Sequence, residues 1–460
     1  MAVQSSNGPL DGAGITRIAV TGFKSLGAKT DVEIRPLTVL AGANSSGKSS
    51  LMQPLLLMKQ TFDNERIPPG PFWLRGEQVG YDTADQFLSP ETLDATVAKR
   101  LTIELEAKNN WAELVFEKSP DVVVRQYTIS SELTVVETSS KDSPDGRIWR
   151  VNRDCTEETL KELYESVVQR QGSSAGLLSP TDFLVYPERC FLGVGVRFAE
   201  DGAIPTFHRP EINLLRHKIQ DMIHVSGLRG SAEREFYLHG LPYGNTFPGD
   251  FEEYVPSIIE AWKDVTKYAN GLQYLHDLAN ALQVLELASG VETRKLNESK
   301  IEVLIPRTLH GDPKDLVNIA DVGLAVSQIL PVLVALLLAH SNQLVYIEQP
   351  ELHLHPRAQW RLAQLLAQAA NRGVRLVIET HSSLLLQGIM TCVAQDKISP
   401  ENVALHWFSR DEKGISHVST AELDEKGRVG AWPEDFGEVE LRASNEYLDA
   451  VEKKPYADAN

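Results

Sequence analysis

The chain has 460 residues, 42% of them hydrophobic, and carries 45 Lys and Arg against 63 Asp and Glu, a formal charge of −18 at pH 7. That length and apolar content suffice for a large α/β unit or for two to three domains with a substantial core. The negative balance excludes general affinity for nucleic acid, which depends on clustered Lys and Arg neutralising phosphates, so any such site has to be a local patch.

Residues 1–14 are small, polar and Gly-rich and read as a flexible leader without the apolar segment of a signal peptide. Ile15 to Gly22 and Val32 to Leu40 are β-branched, apolar runs that break at a Gly-rich loop, after which Lys48 to Phe62 follows a helical pattern. Short β-like runs come next at Leu101–Ala107, Trp111–Phe116, Val122–Ile129 and Leu133–Glu137, predicting an antiparallel sheet that completes an N-terminal lobe over 15–150. Helical spacing at Thr156–Gln171 and Val255–Leu287 predicts a mainly helical insertion over 151–310, without the sustained heptads of a coiled coil. From Asn318 a helix to Ala339, a strand at Leu344–Ile347, a helix at Arg357–Asn371 and a strand at Val374–Ile378 alternate, which implies a parallel sheet with crossover helices over 311–410. A small C-terminal domain over 411–460 closes the chain.

Ile329 to Ala339, opened by Ser327, Gln328 and Pro331, is roughly half the ~20 apolar residues that span a bilayer, so a buried helix and no membrane association are expected. Cys155, Cys190 and Cys392 are scattered and odd in number, fitting neither a disulfide framework nor a zinc site and suiting a reducing cytoplasm.

Three short segments carry chemistry. Gly42-Ala43-Asn44-Ser45-Ser46-Gly47-Lys48-Ser49-Ser50 matches the P-loop pattern between a strand and a helix, where backbone N–H groups cradle phosphates, Lys48 pairs with the β and γ phosphates and the Ser49 hydroxyl ligates Mg²⁺. Outside that context the same pattern is an ordinary glycine turn. The strand Leu344–Ile347 ends in Glu348, placed to hold Mg²⁺ as a Walker-B acid, or else to sit in solvent as the acid at a strand end. Arg375–Ile378 delivers His381 just past its end, where an imidazole donates to a γ-phosphate or serves a structural role.

The order P-loop, long insertion, Asp321-Val322-Gly323-Leu324-Ala325-Val326-Ser327-Gln328, Glu348-Gln349-Pro350-Glu351-Leu352-His353-Leu354-His355-Pro356 and Glu379-Thr380-His381-Ser382 resembles the ABC-type ATPases of the RecF, SMC and OLD group. In particular it looks like the single-chain bacterial AAA family ATPases of phage-defence and toxin-like operons. Trp432-Pro433-Glu434-Asp435-Phe436 resembles a small domain that often ends them, and His224-Val225-Ser226-Gly227-Leu228-Arg229 resembles a family segment to which no role is attached. The resemblance implies an α/β fold, an ABC-type P-loop NTPase head with a mixed sheet, an inserted α/β-helical region and a small C-terminal domain. It also implies two ATP molecules with Mg²⁺ closed between two heads of a homodimer, Gly323 and Ser327 reaching the partner's nucleotide, and His381 as the switch histidine; otherwise the Asp321–Gln328 segment is a loop that caps the Ile329 helix.

Two departures from the family stand out. Ala325 replaces a common glycine, and Gln349 replaces the glutamate that serves as general base; an amide orients water but does not take its proton, so hydrolysis is expected to be slow unless Glu351 substitutes. The Toprim nuclease of OLD proteins needs an Asp-x-Asp pair, and the chain has none, so a separate effector protein is expected. The alternative is a RecF-like DNA-repair or chromosome-maintenance ATPase closing on DNA directly, which the charge disfavours.

Overall fold

In the computed structural model, which describes residues 14–64, 71–89, 99–107, 110–118, 122–129, 133–138, 148–151, 180–198, 206–207, 210–230, 233–242, 246–309, 315–430 and 445–450, Pro36 divides the first β-rich stretch in two. Proline has no N–H for a ladder, so the chain changes sheet there. β1 (Ile15–Thr21) pairs antiparallel with β2 (Thr30–Glu33), while β3 (Leu37–Gly42) joins a second sheet and feeds α1 (Lys48–Asp63). β4 (Lys99–Ala107), β5 (Asn110–Lys118), β6 (Val122–Ile129), β7 (Leu133–Thr138) and β8 (Ile148–Val151) extend β1 and β2 into a seven-stranded antiparallel sheet in the order β2-β1-β4-β5-β6-β7-β8.

The segment 151–310 is mixed rather than mainly helical in its described part. β9 (Pro180–Glu188), β10 (Phe191–Phe198) and β11 (Thr206–Phe207) form a three-stranded sheet, followed by α2 (Pro210–Gln220), β12 (Ile223–Val225), β13 (Phe236–Tyr237), α3 (Phe251–Trp262), α4 (Gly271–Val284), β14 (Glu292–Lys295) and β15 (Lys300–Pro306). The expected helix at Thr156–Gln171 lies outside the described residues, whereas the stretch Val255–Leu287 is α3 and α4. β14 escapes a pattern-based reading because Glu292, Arg294 and Lys295 all face water and only Thr293 is buried.

β16 (Leu316–Asn318) completes a four-stranded sheet with β13, β14 and β15. The α/β alternation then proceeds as α5 (Leu324–Leu338), β17 (Leu344–Glu348), α6 (Pro356–Asn371), β18 (Arg375–Thr380), α7 (Ser383–Ala394), β19 (Val403–Arg410) and β20 (Ser416–Ala421). The central sheet has the order β12-β17-β18-β3-β19-β20, parallel throughout except at β20. Two of its edge strands come from regions expected to be separate: β12 from the insertion and β20 from the C-terminal segment. α5 starts at Leu324, not at Asn318, which ends β16, and it runs through Pro331 instead of being opened by it.

Side-chain alternation on the central strands explains how one sheet serves two cores. Leu37, Val39, Ile347, Leu376 and Ile378 pack with α3 to α7 on one face, while Leu40, Tyr346, Val377 and Phe408 pack with α1 and the antiparallel sheet on the other. Both faces are covered, which is why β3, β17 and β18 read as continuous apolar runs. Trp262 is fully buried in the helical core, its ring 5.2 Å from that of Tyr274. Trp262→Ala is expected to cost about 3–5 kcal/mol through lost burial and a residual cavity. A lower urea midpoint at unchanged slope measures it.

Candidate functional site

Parallel strands bring their carboxyl ends to one edge of the sheet, and there β3 gives way to the Gly42–Ser49 loop. Gly42 and Gly47 take φ of 143° and 102°, in the region that favours glycine. A Cβ on Gly42 would stand 2.2 Å from the Phe408 carbonyl oxygen, and one on Gly47 2.3 Å from Ser416 Oγ, so both positions admit no side chain. Ser416, at the start of β20, braces the loop by donating to the Ser46 carbonyl at 2.6 Å. Asn44 and Ser45 are exposed at the tip.

Ser45 to Ser50 line a cavity of about 600 Å³, whose walls also carry Lys24, Lys99, Arg410, Lys413 and Glu379. Lys48 is buried, and its Nζ donates to the carbonyls of Gly42 at 3.1 Å and Ala43 at 2.8 Å. Burial holds its ammonium below the usual lysine range, while the charges of Glu379 and Glu351 pull it back up. A glycine cradle closed to any Cβ and a wall of four cations beside Lys48 fit a polyphosphate.

The acids at the strand ends separate into distinct environments. Glu348 and Glu379 are cross-strand partners on β17 and β18. Glu379 faces the loop: its Oε1 accepts from Ser49 Oγ at 3.0 Å and its Oε2 from the Tyr346 hydroxyl at 2.9 Å. Burial and the adjacent Glu348 charge push its carboxyl up. Glu348 does not line that cavity: it shares the Tyr346 hydroxyl with Glu379 and meets β12 and the loop after it, with His224 Nε2 at 3.2 Å from Oε1 and the Gly227 N–H at 3.2 Å from Oε2. Burial alone would raise its carboxyl, but these donors hold it below the usual range.

Glu351 is drawn away to the end of β18, where Oε1 accepts from Thr380 Oγ1 at 2.8 Å and from the His381 N–H at 2.9 Å, and burial pushes its carboxyl up. Gln349 occupies a left-handed turn at φ 43° and donates its N–H to the Glu379 carbonyl at 2.7 Å. His381 is half-buried; burial and the Lys48 charge hold its imidazole below the ordinary range, against a contact with the Gly42 backbone that raises it.

Gly323 and Ser327 stand elsewhere. Gly323 caps α5 with open space where a Cβ would be, Leu324 is 49% exposed, and Ser327 donates back to the Leu324 carbonyl at 2.9 Å. Neither lines the cavity at the glycine loop of its own chain. Sequence reasoning places the loop, Glu348 and His381 at one sheet edge but misses Glu379, Ser416 and the cationic wall. Glu379 was legible as an acid at a strand end two residues before His381; Lys24, Arg410 and Lys413 carried no local signal.

Among the described residues no group of three or more His, Cys, Asp or Glu is placed to hold a metal ion by itself. A divalent cation at Ser49 would therefore need hydroxyl and phosphate oxygens besides a carboxylate, as an ATP site supplies. No helix among the described residues is long and apolar enough to cross a membrane.

Residues 202–387 match a family described as an AAA domain, putative AbiEii toxin, Type IV TA system, and residues 398–437 match a protein family of unknown function, DUF3696. The first match spans His224 to His381 and leaves the P-loop outside it. No curated protein matches the chain. Among solved structures, an SMC head bound to the C-terminal winged-helix domain of ScpA is similar at TM-score 0.44 and 11% identity, over 89% of this chain and 98% of that one. The SMC head domain from Thermotoga maritima gives TM-score 0.38 and 10% identity, over 89% and 99% of the two chains. An SMC head with an extended coiled coil, bound to the C-terminal domain of ScpA derived from Pyrococcus furiosus, gives TM-score 0.38 and 10% identity, over 95% and 99%.

Proposed function

We propose that the chain binds ATP with Mg²⁺ at the Gly42–Ser50 loop and hydrolyses it slowly, as one of two heads that close on two nucleotides and control a separate effector protein. The observation that carries this reading is that Lys48, Ser49 and Glu379 line one glycine-cradled cavity at the carboxyl edge of a parallel sheet, with His381 against the Gly42 backbone and within reach of the Lys48 charge. Lys48 neutralises the β and γ phosphates, and the neutral His381 imidazole donates to a γ-phosphate oxygen as charge builds there. Ser49 and a strand-end acid would hold the cation, which would supply charge neutralisation to the phosphates. Slow turnover follows from Gln349 at the base position and from Glu351 being held by Thr380 and His381.

Closure of two heads is supported by the open signature segment, Gly323 to Ser327, which presents a helix N-terminus and an exposed Leu324 away from its own cavity. Control of an effector in antiphage defence draws on the sequence resemblance and on the toxin-system description of the family matched over 202–387. Ser327→Arg tests the sandwich. ATP binding by the monomer is expected to stay near wild type, while ATP-dependent approach of two labelled heads is lost, because a bulky cation at this point of α5 cannot enter an opposing phosphate site. Unchanged inter-head distances would remove Ser327 from the interface.

A further inference from the structure

The segment from His224 to Gly230 is bonded on one side to the end of β17 and on the other to α5. His224 lies on β12 directly beside Tyr346, its ring stacked on the tyrosine at 5.1 Å between centroids and 10° between planes. Its Nε2 and the Gly227 N–H take one Glu348 oxygen each. A carboxylate only accepts, so His224 carries its proton on Nε2 in this contact. Arg229, itself buried, spans the backbone: its guanidinium donates to the Gln349 carbonyl at 2.8 Å and to the Glu348 carbonyl at 3.4 Å. Gln328, buried one residue past Ser327, gives its side-chain amide to the carbonyls of Arg229 at 3.2 Å and Gly230 at 2.9 Å. The Ser226 N–H is held in turn by Glu252 on α3 at 2.7 Å.

These contacts leave Glu348 little freedom. Both its oxygens are oriented by donors on one strap, its carbonyl and that of the strained Gln349 turn are pinned by the same strap, and the strap is anchored to the first turns of α5. We infer that His224–Gly230 is a clamp that positions the Glu348 carboxylate for its cation and fixes that position to the helix bearing Gly323 and Ser327. His224, Arg229 and Gln328 are thus positioning residues acting through Glu348. The inference rests on Glu348 being the cation-holding acid and on α5 being the signature helix. Partners that orient a metal-ligating side chain matter to affinity without touching the metal: their loss weakens binding by about 10- to 100-fold.

Mn²⁺ is the probe, titrated by electron paramagnetic resonance into the full chain loaded with a non-hydrolysable ATP analogue. His224→Phe keeps an aromatic ring over Tyr346 and removes the donor. Mn²⁺ affinity is expected to fall by about 10- to 100-fold, with analogue affinity in EDTA unchanged. His224→Gln, whose amide offers a donor near the place of Nε2, is expected to recover most of the loss, which a purely packing role would not allow. Gln328→Met, equal in length but without donors, is expected to lower Mn²⁺ affinity too. Because the two act through one strap, the double variant His224→Phe/Gln328→Met is expected to lose less than the product of the single losses.

Full Mn²⁺ affinity in a folded His224→Phe, no recovery in His224→Gln, or multiplicative losses in the double variant would overturn the clamp. If His224→Phe fails to melt cooperatively, His224→Gln set against Gln328→Met decides: retained affinity in the first and loss in the second support the clamp, and equal affinities overturn it. Glu348→Gln separates this inference from the reading beneath it. Undiminished Mn²⁺ affinity in that variant would show that Glu348 does not hold the cation, and the clamp would fall with that assignment.

Discussion

Lys48→Ala is expected to abolish measurable ATP binding. The Lys48 ammonium sits buried at the base of the glycine cradle, already donating to the carbonyls of Gly42 and Ala43, where phosphate oxygens are stronger acceptors. Two charge-assisted hydrogen bonds of about 1.5–3 kcal/mol each correspond to a loss of roughly 100-fold or more in affinity. Alanine also deletes the buried stem and leaves the loop carbonyls without their donor, so stability has to be followed alongside. Lys48→Met keeps the stem and removes only the charge, and it should lose binding equally while melting near wild type. Calorimetric titration with ATP checks both variants. Wild-type affinity in folded Lys48→Met would remove the loop from nucleotide binding altogether, and with it the functional reading.

The central sheet and the loop were legible because their signals are local. β3, the loop and α1 are contiguous, and the loop's glycines are demanded by Phe408 and Ser416 pressing against positions 42 and 47. β17 and β18 are apolar on both faces and announce themselves as buried strands. What stayed hidden depends on contacts between distant segments. β12 is only three residues long and gains its place in the sheet from pairing with β17, more than 100 residues later. β20 joins the edge through β19, so a boundary drawn at 411 cuts a sheet that the chain does not. The site shows the same division: the motif residues were readable, while the orientation of Glu348 by His224, and the contact of Ser49 with Glu379 rather than with Glu348, come from tertiary packing. That contact is a physical consequence of strand order, since β18 lies between β3 and β17 and its terminal acid is nearer the loop.

Strand order also bears on the base step, and Gln349→Glu tests it. Gln349 follows Glu348 in a turn at φ 43°, its carbonyl held by Arg229 and its N–H by the Glu379 carbonyl, so the direction of its side chain is set by backbone contacts that the substitution leaves in place. Glutamate there would supply the missing proton acceptor, and a well-placed general base is worth about 10²–10⁴-fold in rate. Phosphate release is expected to rise by that order, and the lifetime of the ATP-closed pair of heads to fall. Glu351 is a weak rival because Thr380 and His381 occupy one of its oxygens and it is 8% exposed. Glu351→Gln should cost stability more than turnover. Glu379 is the stronger rival, a carboxylate inside the cavity 3.0 Å from Ser49. Steady-state phosphate release in wild type, Gln349→Glu, Glu351→Gln and Glu379→Gln separates the cases. Slow wild-type release accelerated only in Gln349→Glu supports a head that latches on ATP. Brisk wild-type release that collapses in Glu379→Gln while Gln349→Glu changes nothing would overturn the latch and move the base from β17 to β18.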